Sequence, residues 1–214
     1  MRPPKATGKR ADVSNAIESA AGSDYTLKYP QNGEYRSAII LEDIDFDGED
    51  EALALISKNN QDVAGITLLF IDNIGGKYQT ISEFDIAAAE VDRVCIMDMN
   101  DDKIPEILIG WGVYSSHVKT LSAYSYTGIT ANELVCEESY NEMYVADLNS
   151  DKKDEIILFS LANNEKSASA KLLKIGDSAG AVYSASTVLM NSDVARYTSI
   201  LFGKISNNKV GFVL

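Results

Sequence analysis

Three nine-residue segments of this 214-residue chain align without gaps, and they restrict its fold more than any other feature. They are Asp43-Ile44-Asp45-Phe46-Asp47-Gly48-Glu49-Asp50-Glu51, Asp98-Met99-Asn100-Asp101-Asp102-Lys103-Ile104-Pro105-Glu106 and Asp147-Leu148-Asn149-Ser150-Asp151-Lys152-Lys153-Asp154-Glu155. Their starts lie 55 and then 49 residues apart. A short apolar stretch precedes each one (37–41, 94–97, 143–146), and another follows (52–56, 107–111, 156–159). Apolar runs bounded by turn chemistry predict buried strands. Two more β-like segments complete each unit: 66–71 and 77–84, then 119–126 and 133–140, then 168–175 and 181–188. A fourth unit is expected to begin at 197–202, with 203–209 as a loop that has lost its acids. The last residues, 210–214, read as the middle of a strand, so a longer chain is expected.

Four short strands in about 50 residues is the spacing of a β-propeller blade. The predicted fold is therefore all-β, with propeller-like blades of four antiparallel strands at 36–90, 91–140 and 141–190 and a partial one at 191–214. The N-terminal segment, 1–35, carries one short helix over 12–21, capped by Asp12 or Ser14, stopped by Gly22 and packed on the first blade. Pro30-Gln31-Asn32-Gly33 is a turn into strand one. Three and a half blades cannot close an ordinary ring. An open arc, a ring completed by further residues, or edge pairing between chains is expected.

The spacing of the acids carries the chemistry. Calcium takes six to eight oxygen ligands at ~2.3–2.6 Å. A short loop meets that need when side chains 1, 3 and 5, the carbonyl of residue 7 and the acid at 9 converge. In loop one these are Asp43, Asp45, Asp47, the Glu49 carbonyl and Glu51. Loop two offers Asp98, Asn100, Asp102, the Ile104 carbonyl and Glu106, and loop three offers Asp147, Asn149, Asp151, the Lys153 carbonyl and Glu155. An EF-hand loop would need its closing acid at position 12. Ala54, Ile109 and Leu158 stand there instead, inside the following strand. Zinc is disfavoured because no thiol or imidazole approaches any loop, His117 lying elsewhere. Up to three structural calcium ions are expected. Affinity should fall from loop one to loop three, because Gly48 at position 6 suits a left-handed turn better than Lys103 or Lys152.

A formal charge of −13 argues against nucleic acid and anionic membranes and in favour of cations. No apolar run reaches the ~20 residues of a membrane span. The polar, basic start, Met1-Arg2-Pro3-Pro4-Lys5, is not a signal peptide. Cys95 and Cys136 are expected on non-adjacent strands of one sheet, as buried free thiols.

At the three loops the chain resembles the FG-GAP/VCBS repeat family, the calcium-loop blades of integrin α-subunit heads and many bacterial surface proteins. Loop one matches in full at Asp43, Asp45, Asp47 and Glu51, whereas loops two and three lack the family's glycine. Residues 27–30 and 33–38 are more loosely similar to the entry of VCBS-repeat lipoproteins of gut Firmicutes. That resemblance implies a bacterial, secreted or cell-surface lipoprotein, lipid-anchored through residues outside this sequence.

Three functions fit. One is an extracellular calcium-rigidified binding or scaffold module with a protein or glycan ligand, for which Trp111, Tyr114, Tyr124 and Tyr126 could form a recognition surface. Another is a carbohydrate-active enzyme or its supporting part, whose acids would come from Glu83, Asp85, Glu90, Asp92, Glu137, Glu138 or Glu142. These acids are expected to be solvated turn and edge charges, and one histidine allows no catalytic triad. The remaining one is a support for another domain, with no ligand of its own.

Overall fold

In the computed structural model each acidic segment turns the chain from one strand into its antiparallel neighbour. The structure describes residues 8–59, 65–113, 116–162, 167–175, 182–189, 201–206 and 209–213. Helix α1 (Lys9–Ala21) precedes the first sheet, which is made of β1 (Tyr25–Leu27), β2 (Ile39–Glu42), β3 (Glu51–Lys58), β4 (Ile66–Ile74) and β5 (Lys77–Ile86). The second comprises β6 (Glu90–Met97), β7 (Glu106–Gly112), β8 (Lys119–Tyr126) and β9 (Ala131–Tyr140). The third comprises β10 (Glu142–Ala146), β11 (Glu155–Ser160), β12 (Ser169–Ile175) and β13 (Val182–Leu189). A hairpin of β14 (Leu201–Ser206) and β15 (Lys209–Val213) follows. The protein is all-β with antiparallel sheets and one short helix among the described residues.

Strands run side by side in chain order, as four-residue apolar runs joined by short turns require. The strand β1 has no counterpart in the sequence reading. It extends the edge formed by β2, pairing Leu27 with Ile56 while β2 pairs Ile39 with Ala54. Three residues without alternation give no periodic signal.

Consecutive sheets pack face to face. Leu53, Leu55, Leu68 and Phe70 of the first share one core with Ile107, Ile109, Trp111, Tyr124 and Tyr126 of the second. Leu108, Leu121, Ala123 and Tyr140 on the second sheet's opposite face meet Met143, Ile156, Leu158 and Leu173 of the third. Each wholly buried leucine or aromatic here contributes roughly 1.5–3 kcal/mol. Phe70 and Phe84 enclose Tyr124 at ring separations of 5.8 and 4.9 Å. Trp111, Tyr124 and Tyr126 are therefore core residues and not a recognition surface. Tyr114 lies outside the described residues.

The far face of the first sheet is covered by α1. Val13, Ala16 and Ile17 lie on Ala52, Ala54, Ile56, Leu69 and Ile71, and the two alanines leave room for the helix. Both faces of β3 are thus buried, which is why 52–56 is apolar throughout and does not alternate. The helix begins three residues earlier than expected. Gly8 is its N-cap with no side-chain cap, and its carbonyl accepts from Ala11 and Asp12. Ser14 lies inside the helix, donating to the Arg10 carbonyl at 2.9 Å. Gly22 ends it at φ 75°, as expected.

The last unit differs from its expectation. Residues 203–206 belong to β14 and Lys209 begins β15, with Ser206 paired to Lys209. Only two residues connect the strands, so no fourth acidic-type loop exists there. Without alternate acids to draw backbone N–H groups inward, the chain keeps its strand pairing. Residues 197–200 lie outside the described part.

Candidate metal centre

The three loops share one backbone conformation. Positions 4 and 6 are left-handed in every copy: Phe46 and Gly48 (φ 62° and 94°), Asp101 and Lys103 (67° and 73°), Ser150 and Lys152 (66° and 74°). Position 6 was expected to be left-handed, but position 4 was not. Non-glycine residues enter this region at a cost of roughly 1–2 kcal/mol each. Something must hold them there.

What holds them is a set of four hydrogen bonds repeated in each loop. The position-9 glutamate accepts from the N–H of position 2: Ile44 to Glu51 at 2.7 Å, Met99 to Glu106 at 3.0 Å, Leu148 to Glu155 at 2.8 Å. The position-1 aspartate accepts from position 6: Gly48 to Asp43 at 3.2 Å, Lys103 to Asp98 at 3.0 Å, Lys152 to Asp147 at 3.0 Å. Position 3 accepts from position 5, as Asp47 donates to Asp45, Asp102 to Asn100 and Asp151 to Asn149. Position 5 accepts from position 7, as Glu49 donates to Asp47, Ile104 to Asp102 and Lys153 to Asp151. Each acid thereby spends one oxygen on the backbone and turns another toward the loop centre.

Loop one brings three of its expected ligands together. Oxygens of Asp43, Asp45 and Glu51 all lie within 4.8 Å of one another, and no other such group occurs among the described residues. Oxygens sharing a cation at ~2.3–2.6 Å cannot lie more than about 5 Å apart, so the spacing fits. Asp47 is exposed and stands outside the cluster. Glu51 is only 3% exposed, yet its Oε1 has no hydrogen-bond partner, nor has the inward Oδ1 of Asp43. A buried carboxylate oxygen left without a donor is costly. The all-oxygen donor set suits a hard cation.

The other loops progressively satisfy their own oxygens. In loop two Asp98 Oδ1 is unpartnered, but the Asn100 amide donates to Asp102 at 3.0 Å. In loop three Asp147 Oδ1 accepts from Ser150 and Asp151, while the Asn149 amide donates to both Asp151 and Glu155. An amide nitrogen there stands where a cation would need an oxygen. Lys153 is further engaged in an ion pair with Asp101 of loop two.

The second sheet closes over loop one. Gly128, in the turn between β8 and β9, has φ 75°, and a Cβ on it would lie 2.8 Å from Asp45 Oδ2. Ser82 of β5 fixes the same turn by accepting from the Ala131 N–H at 3.0 Å. Gly128→Ala is expected to displace the Asp45 carboxylate. Calcium titration should show severalfold weaker binding, against a stability loss of only about 1 kcal/mol from the left-handed backbone. Unchanged affinity would mean that the turn does not hold Asp45.

Burial pushes the Glu51 carboxyl up to about 7 from 4.5, with the Asp45 charge adding to it. Burial also raises Asp45 and Glu106. A carboxyl raised by folding favours the folded state below its unfolded value, and that contribution disappears as pH climbs through the folded value. The metal-free chain should lose this contribution between pH 4.5 and 7. A cation, which needs the ionised form, should stabilise most above that window. Melting curves with and without calcium at pH 5.5 and pH 8 should diverge more at the higher pH. An equal gap at both would show Glu51 already ionised.

Most of the enzyme candidates prove to be paired. Asp92 was expected to be solvated but is 5% exposed and bound by Asn32, Lys119 and Tyr140. Glu83 pairs with Lys58, Glu138 with Lys171, and Asp85 accepts from Thr67. Glu90 is half-buried and Glu142 exposed; the Glu137 side chain lies outside the described residues. His117 is exposed, and its carbonyl accepts from Asn141. Cys95 (β6) and Cys136 (β9) occupy opposite edges of the second sheet. Cys95 is free, and burial pushes its thiol up to about 11.

No protein-family model matches the chain, and a search of curated proteins finds no match either.

Proposed function

We propose that this chain is a calcium-stabilised β-repeat module, propeller-like in its stacking, that acts as an extracellular or cell-surface binding or scaffold protein. The observation that carries this reading is Glu51, a buried carboxylate whose free oxygen faces two further carboxylates. Such a cage is unfavourable empty and favourable around a divalent cation. Loop one is the principal site, with loops two and three weaker. Residues Glu49, Ile104 and Lys153 contribute only backbone carbonyls.

Stacked sheets with a capping helix suit an arc that starts at a covered sheet more than a ring closed through that face. The helix α1 occupies the surface where a preceding blade would pack. Weak loop sites fill only where calcium is near millimolar, which places the protein outside the cell. A lipid anchor remains part of the proposal through the resemblance to surface lipoproteins. Among the described residues no helix is long and apolar enough to cross a membrane. The partner is a protein or glycan. The test of the reading is the melting temperature in calcium against that in a chelator.

A further inference from the structure

Strand pairing places a different residue across from the closing glutamate of each loop. Ala52 of β3 pairs with Ile71 of β4, so the next position outward sets Glu51 opposite Asp72. In the second sheet Ile107 pairs with Tyr124, setting Glu106 opposite Ser125. In the third Ile157 pairs with Leu172, and two positions on Glu155 stands opposite Lys174. The three sheets therefore present an acid, a hydroxyl and a base at one equivalent place.

We infer that Asp72, which lies outside the nine-residue loop, is an additional carboxylate of the first cation site, and that this cross-strand position grades the three loops for divalent cations. The inference rests on the loops being cation sites, as proposed above. Glu51 supplies the independent sign of a ligand, being almost wholly buried with one oxygen lacking any donor and aimed at Asp43 and Asp45. The Asp72 charge reaches both Asp45 and Glu51 and raises each. It also lies beside the buried Tyr126 phenol, which burial and then Asp72 push upward. The adjacent Asn73 ties the strand to the loop, its amide donating to Glu49 at 3.0 Å. A fourth negative charge makes site one the most cation-demanding of the three. At loop three the Lys174 ammonium can meet the same need from within the protein.

Calorimetric titration of the chelator-stripped full chain with calcium chloride tests this. Asp72→Asn keeps shape and removes charge. It is expected to weaken the tightest site by ~10-fold or more while leaving the metal-free melting temperature equal to or above that of wild type. Lys174→Asp should strengthen the weakest site severalfold. Wild-type binding that Asp72→Asn leaves unchanged would overturn the role of Asp72 and leave the calcium reading standing. Weaker binding with a lower metal-free melting temperature would also overturn it, marking Asp72 as structural. Wild type that binds no calcium would remove the calcium reading first, and this inference with it.

Discussion

Asp92→Ala should lower the melting temperature by about 10 °C or more, the largest effect of any single change considered. The carboxylate sits at the start of the second sheet with three neutral or cationic donors aimed at it. Oδ1 accepts from Lys119 Nζ at 2.9 Å and from the Asn32 amide at 2.8 Å, and Oδ2 accepts from the Tyr140 hydroxyl at 2.8 Å. Arg93 Nε stands 3.8 Å away. Removing one member of a buried charged network costs about 3–5 kcal/mol, because its partners stay behind unpaired. In a domain of this size each kcal/mol moves the midpoint by about 2–4 °C. Asp92→Asn, which can still accept from Tyr140 and Asn32, should lose less.

The pH dependence of this network runs opposite to that of Glu51. Burial acts to raise Asp92, but Lys119, Tyr140 and Asn32 outweigh it and hold the carboxyl below its usual range. Its contribution is complete above the unfolded value of ~3.9 and disappears as pH falls through the lower folded value. Acid unfolding should therefore steepen below about pH 4 in wild type and flatten in Asp92→Asn. A loss under about 1 kcal/mol in Asp92→Ala would mean that water replaces the carboxylate freely.

The second expected result is a calcium-dependent rise in melting temperature. A site with Kd near ~10⁻⁵ M stabilises the fold by about 2.7 kcal/mol at millimolar calcium, or roughly 5–10 °C here. In the double variant Asp43→Asn/Asp45→Asn the rise should vanish. In chelator the same variant should melt above wild type, since it removes two of the three clustered charges. This crossing separates a cation site from a generally fragile loop. A wild-type shift below a degree, or an equal shift in the double variant, would sink the calcium reading.

The sequence alone was sufficient for what is local. Loop boundaries, the left-handed position 6, the strand flanks and the paired glutamate at position 9 all lie within nine residues. Backbone turns and apolar runs there act on near neighbours. The repeat then multiplied a weak signal by three. Position 4 escaped because Phe46, Asp101 and Ser150 share no chemistry, and the hydrogen bonds around them impose their conformation.

Only the tertiary structure decided which acids matter beyond the loops. Asp92 reads as an edge charge until Asn32 and Tyr140, distant in sequence, are folded onto it. Gly110 reads as a weak strand residue until Tyr140 crosses it, where a Cβ would lie 1.9 Å from the phenol oxygen. Asp72 and Lys174 become comparable only once strand register sets each across from a loop glutamate. Loops two and three read as slightly poorer copies of loop one, but their asparagine amides already occupy the acids they would share with a cation. Local composition states which groups a segment carries. Non-local pairing determines which of those groups are left without a partner, and that determines where a cation is needed.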